Sequence, residues 1–189
     1  PGGRVDIRRT TFGQGGSAGT GGSNTPITLA LDRLQVTDSI ALHNMRGTLN
    51  TSPALNGDFT GLVNGGARIQ GRLTPTPQGT SVRLRSNDTG AVLRSAGVFS
   101  KVHDGTMDLF LVPRAEDGHY DGQLTAENVK IRGAPALADM LGAISVVGLV
   151  QQLNGDGIRF AKVRSQFILT PSHVNLLQGS AVGASLGVS

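Results

Sequence analysis

The sequence predicts a mainly β protein with minor α content, in which a curled antiparallel sheet packs around one long helix. Two observations predict the sheet: apolar and polar residues alternate over most of the chain, and 28 glycines among 189 residues supply turns. A third predicts the helix, because only residues 134–153 form a long stretch with apolar residues at steps of three and four. A chain of this length can bury one sizeable core, so we expect a single β-rich domain over residues 1–189.

The first half of the chain reads as short strands at hairpin spacing. Arg4 to Arg8 alternates like a strand, and residues 13–24, nearly all Gly, Ser, Thr and Ala, predict a flexible loop. Alternation then runs from Ile27 to Leu84, interrupted by polar turns. Its phase changes near Asp32-Arg33, which predicts a bulge. The pattern is typical of an antiparallel meander with one apolar and one polar face.

Two segments depart from the alternation. Residues 88–96 begin with an Asn or Asp cap at Asn87-Asp88 and are followed by Gly97, which predicts a short helix. Residues 134–153 carry Pro135 in the first turn and are followed by Asn154-Gly155, so both ends of a long helix are marked. Its apolar stripe is expected on the concave side of the sheet. Two interior glycines leave open whether it is one helix or two. Strands resume at 107–111, 120–124 and 129–131, and after the helix at 158–160, 163–169, 174–176 and 186–189.

Composition excludes several classes of function. With no cysteine there is no disulfide framework or thiolate metal site, and the net charge of +4 comes from scattered arginines instead of a basic stripe, so nucleic-acid binding is not expected. The four histidines are far apart in sequence and predict no metal or cofactor site. Asp88-Thr89-Gly90 matches the signature of retroviral-type aspartic proteases, but the chain holds only one copy of it. We therefore predict no enzyme and no catalytic residue, with the protease as a remote alternative.

An ordered series of short motifs resembles a known family. The series comprises D-x-G-x-x-L-R-x-x-G (Asp88 to Gly97), G-x-x-D-L (Gly105 to Leu109), Y-D-G-x-L (Tyr120 to Leu124), A-P-x-L-A-x-x-L (Ala134 to Leu141), V-G-L-x-x-x-L (Val147 to Leu153), G-I-x-F (Gly157 to Phe160) and G-x-x-L-G-V (Gly183 to Val188). Together these motifs resemble the AsmA-like superfamily of Gram-negative bacteria, and within it the YhdP-like proteins. The resemblance covers residues 80–189, whereas the first part of the chain matches only as generic strands.

This resemblance implies a fragment of a longer periplasmic protein, anchored to the inner membrane by a helix outside this chain. It implies that the curled sheet stays open as a β-groove or half-barrel, which shields phospholipid acyl chains on their way to the outer membrane and so contributes to envelope integrity. A structural β module without a ligand has nearly the same sequence pattern and is the alternative. Open sheet edges predict possible pairing with neighbouring β segments. The candidate groove residues are Val82, Leu84, Leu109, Leu111, Leu137, Met140, Leu141, Ile144, Val147, Phe160, Phe167 and Leu169.

Overall fold

The computed structural model describes residues 2–8, 26–133, 157–183 and 187–188, and within them the chain is mainly β with one short helix. The predicted loop at 13–24 and the predicted long helix at 134–153 lie outside the described residues. The predicted short helix is confirmed as α1, Thr89–Ser95. The strands are β1 (Arg4–Asp6), β2 (Ile27–Gln35), β3 (Ala41–Asn50), β4 (Asn56–Val63), β5 (Ala67–Thr76), β6 (Gly79–Ser86), β7 (Val102–His103), β8 (Thr106–Pro113), β9 (Tyr120–Ile131), β10 (Ile158–Leu169), β11 (Val174–Gly183) and β12 (Gly187–Val188).

All of these strands belong to one sheet. Its order is β1-β2-β3-β4-β5-β6-β8-β9-β10-β11-β12, with β7 paired to β9 off this path. The pairs from β2 onward are antiparallel, which confirms the predicted meander. The prediction of a wholly antiparallel sheet is wrong at one edge, because β1 runs parallel to β2 with Arg4 opposite Arg33. Residues 7–26 separate the two strands and are long enough for the crossover that a parallel pair needs.

The sheet curls without closing, as the family resemblance implied. The turn between β2 and β3 reaches the turn between β10 and β11, where the Asp38 backbone N–H donates to the carbonyl oxygen of Pro171 at 2.8 Å. Arg8, just after β1, forms an ion pair with Asp38 at 2.9 Å. Gly118, between β8 and β9, lies so close to the Arg8 carbonyl that a side chain there would collide with it. These contacts bring the first and last parts of the sheet together around a concave apolar face.

Side chains along a strand alternate between the concave and convex faces of the sheet, and this alternation changes phase at two places. In β2 the apolar positions shift between Leu31 and Leu34, but β2 pairs with β3 there without a register shift, so the bulge predicted near Asp32-Arg33 is not found in β2. The irregularity lies in β3, where the pairing with β4 shifts between His43 and Arg46 and Asn44 has a φ of 51°. A second shift occurs in β9, where Asn128 has a φ of 56°. Asparagine tolerates this left-handed conformation better than most residues. The sequence reading that split 120–131 into two strands is therefore wrong, because β9 is one strand with a changed phase.

The same correction applies to β10. The sequence predicted separate strands at 158–160 and 163–169, but Ile158–Leu169 is continuous and pairs with β9 along its whole length. The positions in β9 and β10 at which the side-chain direction changes lie opposite each other, so the two strands stay paired. Beyond these positions, the residues that face inward are the ones that would otherwise have faced outward. The change divides the buried side chains into two clusters. The main cluster lies inside the curl around the fully buried Ile69, and the smaller one contains Val102, Ala126, Val129, Ile158 and Phe160.

Candidate apolar ligand cavity

The concave face of the sheet encloses an apolar cavity of about 390 Å³. Alternation places every second side chain of a strand on this face, and strands β2 to β6 and β8 to β11 all contribute to the lining. Residues from α1 and the turn after it line the same space. No charged residue of the described chain lines the cavity, and the only lining residues outside the purely apolar types are Thr37, Gly118, Tyr120 and Ser165. The cavity therefore suits an uncharged, apolar ligand.

The structure brings together six of the predicted groove residues. Register explains two pairs of them, since Val82 lies opposite Leu111 and Leu84 opposite Leu109 across β6 and β8. Residues that share a register position and a phase project to the same side of a sheet. The six that line the cavity are Val82, Leu84, Leu109, Leu111, Phe167 and Leu169. The remaining candidates except Phe160, namely Leu137, Met140, Leu141, Ile144 and Val147, lie outside the described residues.

Phe160 is a correction to the predicted site. It is buried, but it packs in the smaller cluster with Val129 and Ile158 and does not line the cavity. Phe160 and Phe167 are separated by an odd number of residue steps, and only the phase change in β10 allows both to be turned inward. That phase change also marks the border between the two clusters.

Sequence reasoning missed the contribution of the first half of the chain. Five of the missed lining residues come from β2 to β5, and their alternation was visible in the sequence, although the candidate set was drawn only from the region of family resemblance. The five are Leu34, Leu42, Phe59, Val63 and Ile69. Residues of and after α1, among them Val92 and Val98, were missed because no local pattern shows where a short helix will pack.

Two aromatic rings in the cavity lie over glycines of the neighbouring strand. Phe59 of β4 pairs with Gly71 of β5, and a Cβ added to Gly71 would overlap the Phe59 ring. Phe167 of β10 pairs with Gly122 of β9 in the same way, and a Cβ added to Gly122 would overlap the Phe167 ring. Aromatic cover of a glycine is a known way to offset the weakness of glycine in a strand. Here it also holds both rings close to the sheet, so the space beyond them stays open.

Three lining residues are also well exposed and so mark the mouth of the cavity. Val98, after α1, is 51% exposed, while Val174 and Leu176 of β11 are 42% and 67% exposed. Large apolar side chains that are both solvent-exposed and part of a cavity wall form an apolar rim. A ligand entering here meets no charged residue of the cavity lining.

The opposite, convex face carries ion pairs between neighbouring strands. Arg72 bonds to Asp58 at 2.7 Å, and Arg83 bonds to Asp108 at 2.7 Å through its Nε atom. The hydrogen bonds from Arg83, helped by those from Arg85, hold the pKa of Asp108 below its usual range, and burial opposes this shift. The same bond from Arg83 to Asp108 raises the pKa of Arg83. Charge is therefore concentrated on the convex face, as the alternation predicted.

The Asp88-Thr89-Gly90 motif has a structural explanation in α1. Asp88 is the N-cap, and its Oδ1 atom accepts a hydrogen bond from the Ala91 backbone N–H at 2.7 Å. Thr89 is buried, and its Oγ1 atom has no hydrogen-bond partner among the described residues. A Cβ added to Gly90 would lie 2.5 Å from the Cα atom of His103, so glycine permits close packing of α1 on β7. Capping and packing account for all three residues.

The histidines make local contacts near turns. His173 Nδ1 lies 2.8 Å from the Ser172 hydroxyl, and His119 Nδ1 lies 3.0 Å from the Asp117 carbonyl oxygen. His103 Nδ1 lies 3.4 Å from Arg94. Within the described ranges, no three His, Asp or Glu side chains converge in a way that could hold a metal ion.

No family model, no curated protein and no solved structure matches this chain. The AsmA-like resemblance therefore remains a prediction that rests on the sequence motifs. In the part of the chain that the structure describes, no helix combines the length and the hydropathy required to cross a membrane. The cavity and its charge-free lining are the features from which a function can be argued.

Proposed function

We propose that this chain is a non-enzymatic segment of an AsmA-like periplasmic protein, anchored to the inner membrane elsewhere in its sequence, that shields phospholipid acyl chains in a hydrophobic β-groove. In this proposal the full protein carries phospholipid towards the outer membrane. The single observation that carries the proposal is the charge-free apolar cavity of about 390 Å³ inside the curled sheet. The motif series from Asp88 to Val188 supports the family assignment.

Energetics support an occupant for this space. The cavity is open at its mouth, so without a ligand its apolar lining faces water, which costs free energy in proportion to the apolar area exposed. An acyl chain in the cavity offsets this cost, because burial of each methylene is worth about 0.8 kcal/mol.

The proposal assigns a place to the predicted helix at 134–153. Its stripe of Leu137, Met140, Leu141, Ile144 and Val147 packs on the concave side of the sheet and extends the apolar wall of the groove. An unpaired charge buried in such a contact costs several kcal/mol. Ile144→Asp should therefore lower the melting temperature clearly, whereas the exposed position predicted for Asp139 makes Asp139→Asn a matched control. Equal melting temperatures for both variants and the wild type would contradict packing of the helix on the concave side.

The proposal also assigns a partner to the open edge at β11. This strand contains no charged residue and no proline, although edge strands usually carry such residues to prevent pairing. Among the described residues, β12 covers only Ala181 and Val182 of its outer side. Leu176 and Leu177 are exposed on the same strand. Neighbouring β segments of the longer protein can add to this edge and lengthen the groove.

Site-specific photocrosslinking in cells tests the transport proposal. A photoreactive residue is placed in the full-length protein at Leu84, Leu109 or Phe167, which line the cavity, and at Arg83 or Asp108, which lie on the convex face. Phospholipid adducts are expected at the three lining positions and not at the two convex ones. Phe160 is a second control, because it is apolar and buried but lies outside the cavity.

The pattern of labelling distinguishes the two functions. Adducts at the lining positions alone support lipid shielding. Adducts at both faces to the same extent, or at neither, would favour a structural β module that carries no ligand. Labelling at Phe160 as strong as at Phe167 would show that the cavity does not define the lipid path.

A further inference from the structure

The size of the cavity limits what it can hold. Water occupies about 30 Å³ per molecule in the liquid, and a methylene group is of similar size, so about 390 Å³ accommodates on the order of a dozen methylenes. This corresponds to one unbranched tail. A diacyl lipid carries two tails, and this volume does not hold both over their full length.

The two aromatic rings determine how wide this space is. Phe59 and Phe167 enter the cavity from strands that are separated in the sheet by β5, β6, β8 and β9. Each ring is held down by the absence of a side chain at Gly71 or Gly122. A methyl group at either glycine would overlap the ring and force it away from the sheet, into the open space. The width of the cavity therefore depends on two glycines that do not themselves line it.

We propose that the cavity holds a single unbranched alkyl chain of about a dozen carbons at a time, and that the Phe59–Gly71 and Phe167–Gly122 pairs set the width of the cavity. This inference rests on the proposed function, because it takes the cavity as the acyl-chain site. It adds the number of chains, their length and the residues that select them. The polar end of the ligand stays outside, since no charged residue of the described chain lines the cavity.

The length and number of chains are tested on the purified, delipidated chain of 189 residues. Unbranched fatty acids of increasing length compete with a fluorescent fatty acid, and native mass spectrometry counts the bound molecules. Affinity should rise with length and level off near about a dozen carbons, with one molecule bound per protein. Binding of two chains together, or affinity that keeps rising with every added carbon, would overturn the inference and leave the proposed function standing.

Two further ligands separate the possible sources of the chain. A lysophospholipid with the same tail should bind within a few-fold of the fatty acid, because only the tail is recognised. Diacyl phospholipid vesicles should compete less well. A strong preference for either phospholipid over the fatty acid would overturn tail-only recognition. If no alkyl ligand binds at any length, the proposed function fails together with the inference.

Gly122→Ala tests whether the Phe167–Gly122 pair sets the width of the cavity. The displaced Phe167 ring takes the place of about two methylenes of ligand, so affinity should fall by about tenfold. Adding Phe167→Leu to Gly122→Ala removes the ring and should restore affinity. Gly3→Ala is the control away from both pairs, because its new Cβ would be 3.7 Å from the nearest atom, in the side chain of Leu31, which does not line the cavity, so affinity should not change. Unchanged affinity in folded Gly122→Ala, or a loss that Phe167→Leu does not restore, would refute the role of the pair.

The second pair keeps this test decisive if Gly122→Ala does not fold. Gly71→Ala with and without Phe59→Leu repeats the comparison on β4 and β5. Circular dichroism and melting temperature establish that each variant is folded before its affinity is measured. Loss and rescue at either pair supports the inference, whereas wild-type affinity in folded Gly71→Ala contradicts it.

Discussion

Replacing Leu84 by phenylalanine separates a ligand cavity from an ordinary packed core, because the two give opposite signs for stability. Leu84 lies opposite Leu109 in the pairing of β6 with β8, and both side chains line the cavity. The larger ring enters space that is already open, so no neighbouring side chain has to move to admit it. In a close-packed core, the same substitution would force its neighbours apart.

The size of the expected effect follows from the added carbons. Phenylalanine has about three more side-chain carbons than leucine, and at about 0.8 kcal/mol each the gross gain in the free energy of unfolding is about 2 kcal/mol. Imperfect fit reduces this gain, and cavity-filling substitutions commonly yield about 0.5–2 kcal/mol. The same carbons displace part of a bound chain, so alkyl-chain affinity should fall by about tenfold or more.

Urea unfolding of the delipidated protein measures the stability, and displacement of a fluorescent fatty acid measures the affinity. Leu62→Phe is the matched control, because Leu62 of β4 pairs with Arg68 and His43 and does not line the cavity. It should leave affinity unchanged and alter stability by less than about 0.5 kcal/mol. If Leu84→Phe instead destabilises the protein by more than about 1 kcal/mol, the space beside Leu84 is already filled and the argument from the cavity is wrong.

Three other substitutions test separate features. Asp108→Asn removes a carboxylate whose folded pKa is lowered by Arg83, so the stability it contributes is present above the ordinary Asp pKa of about 3.9 and is lost as the pH falls through the lower folded value. Because Asp108 is 33% exposed, we expect less than about 1 kcal/mol at neutral pH, and urea unfolding should show wild type and variant converging in acid. Thr89→Val should raise stability by about 1 kcal/mol, since the buried Oγ1 atom makes no hydrogen bond within the described residues; a loss in thermal unfolding would show that it has a partner. Leu177→Lys should reduce self-association through the exposed β11 edge in analytical ultracentrifugation, and a wild type that stays monomeric at high concentration would contradict edge pairing.

Local patterns were sufficient to predict much of the fold. Alternation predicted the meander and the separation of an apolar from a charged face, because the side-chain direction in a strand repeats every two residues. The cap at Asp88 predicted α1, whereas the phase change near Asp32 predicted a bulge in β2 that the pairing places in the neighbouring strand β3. The same kind of signal was misread at Asn128, where a phase change inside one strand looked like the boundary between two. A bulge and a strand break leave similar traces in sequence, and only the pairing partner distinguishes them.

The candidate site was predicted in part for a related reason. Alternation identified Leu84 and Leu109 as inward-facing, but inward-facing residues can end in a packed cluster, as Phe160 does, or in a cavity wall, as Phe167 does. The distinction depends on what lies across the interior. That is a property of residues far apart in sequence, so no window of the sequence contains it.

The sequence by itself determined the β class, the polar and apolar faces and the absence of charge from the concave face, because each follows from the spacing and type of neighbouring residues. Only the tertiary structure decided that β1 runs parallel to β2, that α1 helps to line the cavity, and that the sheet curls until Asp38 bonds to Pro171. Curl is the sum of strand twist, bulges and contacts between distant turns. The cavity exists because of that sum, and its width is set by rings that lie over Gly71 and Gly122 on neighbouring strands.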